Sequence, residues 1–261
     1  MKLAVAATAP FGADVLERLA ARHEVSALLT RPDQPAGRGR KLSPPPAKVV
    51  AERLGIPVLQ PERPTAELEL PAETIVVAAY GLLIPETLLE RGLWLNVHPS
   101  LLPRWRGAAP VERALLAGDA ETGVTIHQTV KELDAGPIAA MEAFPMPAEW
   151  DAGDVYARAA GLAVDLLDQA LPEPSFRPQQ GEPTYAAKIE PADRELDLSK
   201  PEESLNRIRA LSPHIGARGE LDGRRVTIWR ARLEDGELVP LEVQPEGGKR
   251  MPYDAFVRGL R

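Results

Sequence analysis

The 261 residues contain no cysteine, which excludes disulfides, thiol nucleophiles and Cys-ligated zinc or iron–sulfur centres. Histidine is scarce. The four that occur, at positions 23, 98, 127 and 214, have no His-x-x-x-His spacing, so no metal is expected and any catalysis should be metal-free. Long apolar runs are also missing: none approaches the roughly 20 residues of a membrane span. The apolar run 3–7 behind Met1-Lys2 is too short for the core of a signal peptide and reads as a first buried strand. A soluble cytoplasmic protein with no membrane partner is expected. A phosphate fingerprint is absent too. The turn after the first strand reads Thr8-Ala9-Pro10-Phe11-Gly12, without Gly-x-Gly-x-x-Gly or a Gly-rich loop ending in Lys, which disfavours a dinucleotide or ATP site. A net charge of −7 argues against indiscriminate nucleic-acid binding, while leaving room for local basic patches.

What is present is ordinary for a globular chain: 44% hydrophobic and 26% charged residues, and enough length for two unequal domains. Strand-like and helix-like patterns alternate through the first hundred residues, with strands at 3–6, 25–29 and 75–79 and helices at 12–21 and 47–54. This βαβ order predicts an α/β fold, a doubly wound, mostly parallel Rossmann-like sheet with ligands at its carboxyl edge. Further on, 111–117 reads as a helix, 121–128 and 137–147 as strands, and 152–171 as a long amphipathic helix capped near Asp151. The Pro-rich polar stretch 172–183 reads as a semi-rigid linker. Beyond it, a helix at 201–211 and strands at 216–221, 225–233 and 238–243, with turns at Asp222-Gly223 and Asp235-Gly236, predict a small β-rich module in which Trp229 belongs to the core. The expected domains are therefore 1–171 and 184–261.

One stretch, from Asn96 to Pro110, organises this reading. Leu93-Trp94-Leu95 is strand-like, and Asn96 and His98, two apart, share a face at its carboxyl end. An amide N–H can donate to an oxyanion and an imidazole can carry a proton, a pairing that suits acyl transfer. Asn-x-His alone fits ordinary turn chemistry better. The balance shifts with Leu133-Asp134-Ala135-Gly136, an acid in a Gly-marked turn, since a carboxylate beside the imidazole would orient it and favour its protonated form.

The stretch 31–46 is unusually long for a βα loop and holds Arg38, Arg40 and Lys41 around Gly37 and Gly39. Two readings stand: a phosphate-attracting arm, or a solvated loop whose charges serve solubility.

Together these residues resemble the 10-formyltetrahydrofolate-dependent formyltransferases. The resemblance covers nearly the whole chain and is carried by Asn96-x-His98, Ser100-Leu101-Leu102-Pro103, Arg106-Gly107-Ala108-Ala109-Pro110, Gly123-Val124-Thr125-Ile126 and Leu133-Asp134-x-Gly136. The segment 32–39 and the entry Thr184-Tyr185-Ala186-Ala187-Lys188-Ile189 to the last module resemble the branch that formylates methionyl initiator tRNA. The resemblance implies that Asn96, His98 and Asp134 are catalytic, with Asn96 holding the developing oxyanion, His98 relaying a proton and Asp134 orienting it. It implies that folate lies beside Ser100, Leu101, Leu102 and Pro103 and against Tyr80, Gly81, Leu82 and Leu83. Arg38, with Arg40 and Lys41, would meet tRNA. The implied partners are 10-formyltetrahydrofolate as formyl donor and initiator methionyl-tRNA, with the protein a monomer. Two features depart from the family pattern: the first turn reads Ala7-Thr8-Ala9-Pro10-Phe11 rather than Gly-Thr-Pro-x-Phe, and the last module is shortened, so it should be an abbreviated OB-like barrel. The alternatives are a formyltransferase acting on a nucleotide sugar or other small amine, which would not need the basic arm, and a tRNA-binding protein without catalysis.

Overall fold

A computed structural model describes residues 1–36 and 41–259. In chain order its elements are β1 (Lys2–Ala7), α1 (Pro10–Ala20), β2 (Glu24–Leu29), β3 (Gln34–Ala36), β4 (Lys41–Ser43), α2 (Pro46–Arg53), β5 (Val58–Leu59), β6 (Thr74–Ala78), α3 (Glu86–Leu89), β7 (Leu93–His98), β8 (Arg106–Gly107), α4 (Pro110–Leu116), β9 (Glu121–Gln128), β10 (Ile138–Pro145), α5 (Ala152–Ala170), β11 (Tyr185–Ala186), α6 (Pro201–Leu211), β12 (Ala217–Leu221), β13 (Arg224–Glu234), β14 (Glu237–Pro245), β15 (Met251–Pro252) and α7 (Tyr253–Arg258). They form two units. The first comprises Met1–Arg106, Gly123–Ala143 and Ala157–Pro183; the second comprises Gly107–Thr122, Phe144–Tyr156 and Thr184–Arg261. Among the described residues no helix is long and apolar enough to cross a membrane.

The first unit is built on a seven-stranded sheet in the order β10-β9-β7-β6-β1-β2-β5. Strands β1, β2, β5, β6 and β7 run parallel, and β9 runs antiparallel to β7. A near-continuous apolar sequence suits the central strands, which are covered on both faces: Leu3, Ala4, Val5 and Ala6 are buried, as are Ile75, Val76, Val77 and Ala78. On one face Ala4, Ala6, Leu29, Ile75, Val77 and Trp94 pack with Tyr80 and Leu88. The helix expected at 12–21 starts two residues earlier because Pro10 occupies the first helical turn, where its missing N–H costs nothing. Gly12 then lets α1 lie against the sheet. A Cβ at that position would fall 2.2 Å from the Ala78 carbonyl oxygen, so the glycine serves close helix–strand packing.

Strand β7 runs on through Asn96 to His98, three residues past the apolar run. Its polar end is held by β9, with Asn96 opposite His127 and His98 opposite Thr125. The long stretch after β2 is partly an antiparallel ladder, Gln34 pairing with Ser43, Pro35 with Leu42 and Ala36 with Lys41. Below it, Asp33 accepts from Lys48 Nζ at 2.9 Å and from Gln60 Nε2 at 2.8 Å, and these bonds hold its carboxyl below the usual range. Lys41 is exposed in β4, and Arg38 and Arg40 lie outside the described residues. The Pro-rich stretch 172–183 belongs to the first unit. It is fastened there: Ile138 and Arg177 exchange both backbone hydrogen bonds, at 2.7 and 3.0 Å.

In the second unit β12 to β15 form an antiparallel meander. Its two tight turns have positive φ at both central residues, 50° and 73° at Asp222-Gly223, 52° and 83° at Asp235-Gly236, the geometry that matches strand twist in two-residue hairpins. Among the described residues no ladder joins β12 to β15, so the abbreviated module is an open sheet. Trp229 is buried in it, with Nε1 donating to Gln244 Oε1 at 3.1 Å. Helix α4 counts with this unit because it packs on α6. Asp151 caps α5, its Oδ1 accepting from the Gly153 and Asp154 N–H groups at 2.8 and 3.2 Å.

Candidate active site

Asn96, His98 and Asp134 converge at the carboxyl end of β7. Asn96 Nδ2 donates to Asp134 Oδ1 at 3.2 Å, and Asp134 Oδ2 lies 3.7 Å from His98 Nδ1. His98 is 4% exposed. Its Nε2 lies 2.8 Å from the Trp105 carbonyl oxygen. A carbonyl can only accept, so Nε2 carries the hydrogen and Nδ1 is the free basic nitrogen. The 3.7 Å gap to Asp134 exceeds a direct hydrogen bond. Burial pushes the imidazole below its ordinary pKa of 6.5, with His127 adding to that push, while the Asp134 carboxylate and the Trp105 carbonyl oppose it. The net effect is opposite to the protonated imidazole expected from an acid alone: at neutral pH His98 is a neutral base.

Both amide hydrogens of Asn96 are engaged. His127 Nδ1 donates to the Gln128 carbonyl at 3.0 Å, which leaves its Nε2 as an acceptor for Asn96 Nδ2 at 3.0 Å. Two acceptors on one side fix the orientation of the Asn96 amide. Asp134 sits at φ 46°, a left-handed conformation that Asp tolerates and most residues do not. Gly136 seats this turn on β9, since a Cβ there would fall 1.8 Å from the Gln128 carbonyl oxygen.

The proposed folate residues divide into two groups. Ser100, Leu102 and Tyr80 are inside the unit. The Ser100 hydroxyl donates to the Arg104 carbonyl at 2.6 Å, the Ser100 carbonyl accepts from Thr125 Oγ1 at 2.7 Å, and the Leu102 N–H donates to the same Thr125 oxygen at 3.2 Å. These bonds make the loop after β7 rigid. Tyr80 packs in the core, its hydroxyl has no hydrogen-bond partner among the described residues, and burial pushes its pKa up to about 12. Gly81, Leu82, Leu83, Leu101 and Pro103 retain exposure, and Leu83 is 84% exposed. Because β6 and β7 are adjacent and parallel, the loops that carry these residues leave the same sheet edge. That edge offers apolar side chains with backbone polar groups between them, which fits a flat heteroaromatic ligand.

The sequence profile described as formyl transferase matches residues 1–171. The chain belongs to the formyl transferase family. It is 40% identical over 295 aligned positions to the methionyl-tRNA formyltransferase of Cereibacter sphaeroides, covering 100% of this chain and 96% of that one. An alignment longer than this chain means that the relative carries residues absent here. Among solved structures, the methionyl-tRNA formyltransferase from Clostridium thermocellum superposes with a TM-score of 0.65 at 16% identity, covering 94% of this chain and 98% of that one. HypX from Aquifex aeolicus, solved in complex with tetrahydrofolic acid, gives a TM-score of 0.63 at 18% identity over 98% of this chain and 46% of that one.

Three groups at this candidate site escape a reading of the sequence: His127, Gln179 and the Trp105 carbonyl. His127 had a signal, since an antiparallel partner for β7 would set it across from Asn96. Gln179 and the Trp105 carbonyl had none, because each acts through a contact that only folding creates.

Proposed function

We propose that this chain transfers the formyl group of 10-formyltetrahydrofolate to the α-amino group of methionyl initiator tRNA. The observation that carries the reading is the basic His98 Nδ1, 3.7 Å from an Asp134 carboxylate whose other oxygen accepts from the Asn96 amide, at the carboxyl edge of the sheet. The folate supplies an activated formyl carbon. His98 Nδ1, neutral before reaction, takes the proton that the amine releases on attack and returns it to the departing folate nitrogen. Asp134 stabilises the imidazolium that exists between those two transfers. Asn96 gives an N–H to the oxygen on which negative charge develops, and that oxygen takes the place of Asp134 Oδ1, the longer of its two acceptors.

Gly81, Leu82, Leu83, Leu101 and Pro103 form the surface against the folate, while Tyr80, Ser100 and Leu102 hold that surface in shape. The support for a tRNA substrate is the name of the relatives at about 40% identity along the full chain, together with the basic sequence Gly37-Arg38-Gly39-Arg40-Lys41. There Arg38, Arg40 and Lys41 contact phosphate, and the protein works as a monomer.

The test is a formylation assay with 10-formyltetrahydrofolate and, in parallel, charged initiator tRNA, an amino-sugar nucleotide and free methionine. Only the charged tRNA should be formylated, and His98→Ala should lower kcat by roughly 10²- to 10⁴-fold with folate binding unchanged. Formylation of the sugar nucleotide in place of the tRNA, or full activity of His98→Ala, refutes the assignment.

A further inference from the structure

Gln179 lies in the Pro-rich stretch that the sequence marks as a linker, yet its side chain reaches into the candidate active site. Its Nε2 donates to the Asp134 carbonyl at 2.7 Å and to the Gly136 carbonyl at 2.9 Å. Its Oε1 accepts from Arg106, at 3.1 Å from Nε and 2.6 Å from Nη2. The orientation of this amide has no ambiguity: a guanidinium only donates and a carbonyl only accepts, so each end of the amide has one possible facing. The amide hydrogens and the oxygen are all used, and one member of the set is charged, which strengthens its bonds.

The target of this clamp matters. One carbonyl is that of Asp134 itself, held in its left-handed conformation, and the other lies two residues on, so holding both restrains the backbone leaving Asp134 and with it the direction of the Asp134 Cα–Cβ bond. That direction sets the 3.2 Å bond to Asn96 and the 3.7 Å approach to His98. Without the clamp the turn keeps the tight seat of Gly136 on the Gln128 carbonyl, the Ala135 N–H bond to the Glu132 carbonyl at 3.3 Å and the side-chain contacts of Asp134, but loses both side-chain bonds that hold the Asp134 and Gly136 carbonyls. We propose that Gln179, aimed by Arg106, is a positioning residue that holds the Asp134 carboxylate at its working distance from His98. The stretch 172–183 is thereby part of the catalytic apparatus as well as a connection. This inference rests on the formyl-transfer reading above.

A positioning role and a merely structural one differ in what they do to His98. The groups that face its imidazole are Asp134 from the turn after β9, His127 from β9 and the Trp105 carbonyl from the loop after β7. Of these, the Asp134 carboxylate raises its pKa, so a carboxylate that drifts away lets the pKa fall further. The experiment compares the wild type with Gln179→Met, which keeps length and removes every hydrogen bond, and with Arg106→Met, which leaves the amide in place but unaimed. The His98 imidazole is titrated by NMR, and kcat and KM are measured for both substrates across pH.

Both variants should show a lower His98 pKa and an acidic limb of kcat moved to lower pH. The kcat of Gln179→Met should fall about 10- to 100-fold, as for a misplacement on the order of 1 Å, with both KM values within about twofold. A folded Gln179→Met with unchanged titration and kcat overturns the proposal, as does a loss of melting temperature and amplitude with the limb unmoved. If Gln179→Met does not fold, Arg106→Met decides by the same outcomes. Should the wild type not formylate tRNA at all, the His98 titration, which needs no turnover, still supports or overturns the positioning claim by itself.

Discussion

Replacing Asp134 by Asn removes one charge while keeping the shape of the side chain, and the geometry sets how much this should cost. In the resting site His98 is neutral, so the carboxylate does little for the ground state; on the proposed mechanism it acts once Nδ1 has taken a proton. At the observed 3.7 Å and an effective dielectric of about 20, a full charge pair is worth about 4 kcal/mol. Each 1.36 kcal/mol is tenfold in rate, so a fully formed imidazolium in the transition state predicts a loss of about 10³-fold, and one half formed a loss of about 30-fold. The Asn Oδ1 can still accept from Asn96 Nδ2, which preserves the amide network. Single-turnover formylation by rapid quench over a range of pH should therefore show kcat reduced by about 30- to 1,000-fold with the donor KM little changed. The acidic limb should move to lower pH, because the carboxylate opposes the lowering of the His98 pKa by burial. A rate within about twofold of wild type and an unmoved limb would leave Asp134 as a turn residue and refute the electrostatic argument.

Two further substitutions probe the frame. Gly136→Ala puts a methyl group 1.8 Å from the Gln128 carbonyl oxygen and should destabilise by about 1 to 3 kcal/mol while displacing the Asp134 turn; a thermal melt and a turnover assay both matching wild type would show that the turn has room there. Glu112→Gln concerns the second unit, where burial pushes the Glu112 carboxyl up, opposed by the backbone, the Tyr156 hydroxyl, Arg113 and His214. A raised folded pKa gives stability that is full below the unfolded pKa and lost as pH rises through the folded one. The neutral Gln keeps an acceptor for Tyr156, so its melting temperature relative to wild type should rise as pH climbs above the ordinary carboxyl range and through the raised folded pKa, and a difference independent of pH would contradict the assignment.

The sequence by itself determined the alternation of elements and the shared face of Asn96 and His98. Both follow from local periodicity: the buried runs of β1 and β6 are apolar throughout, and a strand repeats every two residues, so Asn96-x-His98 projects to one side wherever that strand lies. The Asp-Gly hairpins of the second unit are legible for the same reason, since each is set by the φ preferences of its own residues, whereas the apolar period alone places the start of α1 two residues after Pro10. Helix boundaries shifted by only a residue or two.

The tertiary structure decided what those residues can do. The reversal of β9 against β7 brings His127 to Asn96 and engages the amide that a sequence reading leaves free. The loop after β7 folds back so that the Trp105 carbonyl takes the His98 Nε2 hydrogen, and this alone determines which nitrogen is basic. The net direction of the His98 pKa is not legible in the sequence: the adjacent acid, visible as a letter, does raise it, whereas the loss of water that outweighs it is a property of every element packed over the side chain. Gln179 was invisible for a related reason. Its hydrogen bonds span 43 to 73 residues, and composition at 172–183 reports only that Pro and polar residues resist regular structure, which is as true of a chain strapped across a catalytic turn as of one in open solvent.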